Sequence, residues 1–137
     1  MSALRNLALI ALTLMGLGCA KTVITSPTET ADTETLLKEF SSQILPGGSA
    51  SREFEIATAG PIGVTLKTTT PAGITMGVGV GIPRSNGSCA LSAAVETVAG
   101  ATAQITIPAD VGTYCARVYD LGTLNGPVPF TIAISRP

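Results

Sequence analysis

From Ser41 to the C-terminus, apolar and polar residues alternate with a period of about two, the spacing of half-buried β-strands. Residues 52–58 place Phe54 and Ile56 on one face, with Glu53 and Glu55 on the other. Residues 62–69 turn Ile62, Val64 and Leu66 inward and Thr65 and Lys67 outward. Residues 74–82 alternate without a slip: Ile74, Met76, Val78, Val80 and Ile82 are separated by Thr75, Gly77, Gly79 and Gly81. Further strands are expected over 89–98, 102–107, 113–119 and 128–135. Ala103, Ile105 and Ile107 point inward in the second of these, and Phe130, Ile132 and Ile134 in the last.

Turn residues punctuate the series: Pro46-Gly47-Gly48-Ser49, Gly60-Pro61, Pro71-Ala72-Gly73, Asn86-Gly87 and the stretch from Pro108 to Gly112. About seven short strands at this spacing predict one all-β domain over 41–137, an antiparallel β-sandwich. The face made by Gly77, Gly79 and Gly81 reads as a bend or as close strand packing, with a binding face as the alternative.

The first residues follow another pattern. Arg5 precedes an apolar run from Leu7 to Leu17. As a helix that run spans about 16 Å, roughly half a bilayer core, so residues 1–18 read as a signal segment rather than a membrane span. Gly16-Leu17-Gly18-Cys19 resembles a lipobox, with Gly16 where Leu is usual. Cleavage before Cys19 would leave a lipid-bearing cysteine; cleavage after Ala20 also meets the small-x-small rule. Residues 19–40 read as the attachment site and a Thr-rich flexible tether, too polar to offset its own ordering entropy. Leu36 to Phe40 are expected to form a helical turn docked on the domain.

The chain has 3 cysteines. Pairing Cys89 with Cys115 staples a core poor in aromatic residues and leaves Cys19 where a lipid would attach. A redox or metal pair needs CxxC spacing or further ligands, and neither is present.

Composition narrows the chemistry. The net charge is −1, charged residues make up 12%, and the domain carries no basic patch, which argues against nucleic acid. With 0 His there is no Ser-His-Asp triad, Cys-His dyad or His-ligated zinc. Glu53 and Glu55 share a strand face about 7 Å apart, and Lys67 leaves a Ser-Lys dyad formally open, but a solvated strand face accounts for all three. Asp110 and Asp120 fall at turns without the oxygen-rich loop that calcium needs. No cofactor is expected.

The segment from Ala109 through Gly112-Thr113-Tyr114-Cys115 to Asp120, followed by Pro129-Phe130-Thr131-Ile132-Ala133-Ile134, resembles the end of bacterial pre-peptidase C-terminal domains. Gly47-Gly48-Ser49, Phe54-Glu55-Ile56 and Gly60 to Leu66 are similar to that family's opening strands. The resemblance runs from about Pro46 to Pro137. It implies a jelly-roll-like sandwich, appended to secreted enzymes or standing alone at the cell surface, with matrix, polysaccharide or calcium as ligands of some members. The acid-free stretch 74–82 departs from the family's Asp-rich middle strand, so no calcium ligand carries over.

The first functional reading is therefore a non-enzymatic lipoprotein of the cell envelope, periplasmic or at the surface. It is held to a membrane through Cys19, and its sandwich binds a protein or glycan or serves in assembly. A small hydrolase or enzyme inhibitor using Glu53, Glu55 or Lys67 is the second reading, and a purely structural spacer the third.

Overall fold

The computed structural model describes residues 34–137; the signal segment, Cys19 and most of the expected tether lie outside the described residues. Eight strands follow one another: β1 (Thr35–Ile44), β2 (Ser49–Ile56), β3 (Gly60–Thr69), β4 (Met76–Pro83), β5 (Cys89–Thr97), β6 (Ile105–Ala109), β7 (Gly112–Tyr119) and β8 (Val128–Arg136). They form two four-stranded sheets, in the orders β1-β8-β3-β6 and β2-β7-β4-β5. Every paired neighbour is antiparallel. β1 pairs with β8, β2 with β7, β3 with β6 and β4 with β5, as in one long hairpin rolled onto itself. This is a jelly-roll sandwich.

The core is the alternation seen in the sequence. Ile62, Val64 and Leu66 of β3 and Ile132 and Ile134 of β8 face Phe54 and Ile56 of β2, Met76, Val78 and Val80 of β4, and Ala116 and Val118 of β7. All are 5% exposed or less, so each strand has one face committed to the interior. Phe40 of β1 meets Phe130 edge to face at 6.1 Å, and Arg52 caps the outer edge of Phe40 with its guanidinium 5.9 Å from the ring centre.

The expected boundary at Ser41 and the expected helical turn over Leu36 to Phe40 both give way to a strand. β1 is paired with β8 from Thr35 to Ile44, so the domain starts inside what the sequence presents as tether. Only Phe40 and Ile44 of this strand are buried, and the register shifts between Leu36 and Lys38. Backbone pairing to β8 supplies what the side-chain pattern does not announce.

A second difference lies between β5 and β6. Residues 102–104 are not in a strand, and Ala103 is exposed rather than inward, with its methyl against Gly63. Gln104 takes the place of a strand partner. Its Oε1 accepts the Leu66 N–H at 2.7 Å, its Nε2 donates to the Leu66 carbonyl at 3.3 Å, and its own N–H donates to the Val64 carbonyl at 3.0 Å.

Cys89 and Cys115 form a disulfide. It joins β5 to β7 across β4, which lies between them in the sheet. Two strand spacings amount to about 9.6 Å, yet the two Cα atoms are 5.8 Å apart. The start of β5 therefore lifts over β4. Gly81 permits this: a Cβ there would stand 1.9 Å from the Ala90 carbonyl oxygen. Gly77 lies under the Tyr119 ring and Gly79 under Leu91, where a Cβ would come within 2.2 Å and 2.6 Å of the covering side chain. Close packing by the protein's own strands thus covers the glycine face.

Candidate functional site

The strand registers define two poles. At one, Thr35 pairs with Arg136 and Ile56 with Gly112, and the chain enters the domain there at Glu34. At the other, Ile44 pairs with Val128 and Ser49 with Tyr119. β1 runs from pole to pole, which places them about 30 Å apart at the rise of a strand.

A cleft of about 570 Å³ opens at the pole away from chain entry. Pro71, Ile74 and Thr75 from the β3–β4 connection form one wall; residues 123–128 from the β7–β8 loop form the other. The volume falls within the roughly 300–1,000 Å³ of ligand sites. None of the lining side chains is titratable. Leu124 and Ile74 pack against the core from the cleft floor, so the apolar lining continues the interior of the sandwich.

Asp120 organises the loop wall. Its Oδ1 accepts the N–H groups of Gly122, Thr123 and Leu124 at 2.9, 3.0 and 3.2 Å. Its Oδ2 accepts the Gly47 N–H at 2.7 Å, and its own N–H donates to the Gly48 carbonyl at 3.0 Å. Gly47 and Gly122 adopt φ of 77° and 90°, which aims their N–H groups at the one carboxylate and favours glycine at both positions. The Gly47 N–H does most to hold the Asp120 carboxyl below the usual carboxylate range; desolvation opposes it, and the N–H groups of Thr123, Gly122 and Leu124 add to the lowering. The opposite wall is tied back by the Thr70 N–H, which donates to the Pro129 carbonyl at 3.0 Å, and by the Thr69 hydroxyl, which donates to the Pro71 carbonyl at 3.0 Å. Both walls are thus held by hydrogen bonds before any ligand arrives.

The candidate reactive side chains do not converge. Glu53 and Glu55 stand exposed on the outer face of β2, where Glu55 accepts the Thr113 hydroxyl at 2.7 Å. Lys67 belongs to β3 in the other sheet and borders a depression of about 160 Å³ with Glu34 and Glu39. None of the three lines the cleft between the β3–β4 connection and the β7–β8 loop. Asp110 lies beside the β6–β7 turn, where its N–H donates to the Tyr114 hydroxyl at 2.9 Å. The Asn86-Gly87 pair makes the expected tight turn, with the Gly87 N–H on the Arg84 carbonyl at 2.9 Å and Asn86 Oδ1 accepting from Ser88. The cleft itself was not legible beforehand, because its walls come from loops distant in sequence. The Asp120-Leu121-Gly122 signal of a side chain folding back on its own turn was present in the sequence.

No protein-family model matches the chain, and no curated protein matches it in sequence. Solved structures do share its fold. One is the pre-peptidase C-terminal domain of collagenase from Bacillus anthracis, 18% identical, with a TM-score of 0.52 over 73% of this chain and 90% of that one. Another is Aeromonas hydrophila PliG, a periplasmic lysozyme inhibitor of g-type lysozyme, 13% identical, with a TM-score of 0.53 over 80% of this chain and 92% of that one. At such identities the likeness is one of fold. The architecture implied by the resemblance to pre-peptidase C-terminal domains is the architecture found.

Proposed function

We propose that the chain is an exported lipoprotein of the cell envelope, anchored through a lipid on Cys19, whose sandwich is a non-catalytic module that binds a protein partner. The observation that carries the binding reading is that the reactive groups do not converge on the cleft: Glu53 borders a depression of about 230 Å³ and Lys67 another of about 160 Å³, both apart from it. Glu53 and Glu55 lie on one sheet and Lys67 on the other, while the cleft of about 570 Å³ has no titratable lining. A hydrolase needs an acid, base or nucleophile within reach of its bound substrate. A binding module needs only shape and held walls.

Export is supported by the Cys89–Cys115 disulfide, which belongs to an oxidising compartment, and by the signal-like start of the chain. A protein partner is favoured by the fold shared with a periplasmic lysozyme inhibitor. Anchoring is tested by mass spectrometry of the membrane fraction. A mature chain beginning at Cys19 with a lipid-sized mass increase is expected; a chain beginning at Lys21 would remove the anchor. The module reading is tested by chemical crosslinking in intact cells, which should give a discrete heterologous protein adduct rather than monomer alone.

A further inference from the structure

We propose that the cleft at the pole opposite chain entry receives an uncharged, apolar side chain presented by a loop of the partner protein. This rests on the reading of the domain as a binding module and not on the lipid.

The chemistry of the walls selects the occupant. Pro71, Ile74, Leu124, Pro127 and Val128 supply apolar surface, and polarity comes from Thr75, Thr123 and Asn125. A charged side chain entering here would lose hydration with no opposite charge to meet it. The one carboxylate next to the loop wall, Asp120, is already engaged by four backbone N–H groups. A sugar is a poor match for a different reason. No aromatic ring lines the cleft; Tyr114 is bonded to the Asp110 N–H, and Tyr119 lies over Gly77. An aliphatic side chain with its flanking peptide groups matches both the apolar floor and the neutral polar rim.

The position of the cleft argues for a partner rather than a bilayer. The chain enters at the far pole, about 30 Å away along β1. A domain held by its N-terminal segment presents this cleft away from its point of attachment.

The test uses the mature chain, isotopically labelled, and reads backbone amide shifts. The probes are N-acetyl-leucine N-methylamide, N-acetyl-lysine N-methylamide and methyl glucoside. The leucine probe is expected to move the amide signals of residues 72–75, 123–126 and 128, equally at low and high salt. Thr123→Arg and Thr75→Arg place a long charged side chain at exposed positions of the rim and should weaken that response at least tenfold while leaving the remaining spectrum unchanged. Equal response to the lysine probe or the glucoside, or no response at the cleft, would overturn the assignment. Cleft amides that move on deletion of residues 22–33, with no probe binding to the intact chain, would assign the cleft to the chain's own segment instead. Crosslinking in cells separates the two readings. An adduct that survives Thr123→Arg overturns the cleft but leaves the module, whereas no adduct in either form removes both.

Discussion

The Asp120 carboxylate accepts the Gly47 N–H at 2.7 Å and so ties the β7–β8 loop to the β1–β2 turn. The same side chain closes its own loop through Gly122, Thr123 and Leu124. One acidic residue thereby sets the shape of a cleft wall, although it does not line the cleft.

This relationship predicts an acid-sensitive wall. The folded-state pKa of Asp120 lies below its ordinary value of 3.8, so its contribution to stability is present above that value and is lost as pH falls through the lower folded one. Asp120→Asn removes the charge while keeping an oxygen acceptor. Thermal melts from pH 7 to pH 2 should show the variant less stable at neutral pH, with the difference shrinking at the acid end. Hydrogen exchange at Gly47 and Thr123 should quicken in the variant before global unfolding does.

The close approach of β5 over Gly81 predicts that Gly81→Ala is costly. The new methyl would meet the Ala90 carbonyl oxygen, a backbone atom that cannot rotate aside. Overpacking of this kind costs roughly 1–3 kcal/mol. Denaturant unfolding should show that loss, and non-reducing peptide mapping should find less complete pairing of Cys89 with Cys115. An unchanged midpoint would mean that the start of β5 shifts freely.

The disulfide spans a sequence separation of 26 and joins strands that are not neighbours. Loop-closure entropy gives it roughly 3.5 kcal/mol. Replacing both cysteines with alanine should lower stability by about that amount in urea titrations, with the sandwich still formed at neutral pH and room temperature.

Glu53, Glu55 and Lys67 are surface groups on two different sheets. Replacing all three with Gln, Gln and Met should change stability by no more than about 0.5 kcal/mol for each site. It should leave any crosslinked partner in place. Loss of the partner would restore the strand-face reading.

How far the sequence alone carries depends on where each element draws its stability. β3, β4, β7 and β8 were legible because their apolar alternation is the core itself. β1 was not: Leu36 and Leu37 are adjacent, Lys38 and Glu39 follow, and only Phe40 and Ile44 turn inward. Its hold on the sheet is backbone pairing to β8, to which side-chain periodicity is blind. Residues 102–104 looked like the start of a strand until Gln104 proved to bond the edge of β3 with its side chain. The three glycines of β4 announced close packing, but only the register reveals Tyr119, Leu91 and the Ala90 backbone as the packing atoms. The pairing of Cys89 with Cys115 followed from counting. The cleft did not, because the β3–β4 connection and the β7–β8 loop meet only in the folded chain.

The most direct measurement places a photoreactive amino acid at Asn125 in the cleft wall, and separately at Glu55 on the outer face of β2, in intact cells. A protein adduct is expected from position 125, joined through an uncharged loop segment of the partner, and none from position 55. Adducts from position 55 alone, or from neither position, would contradict it.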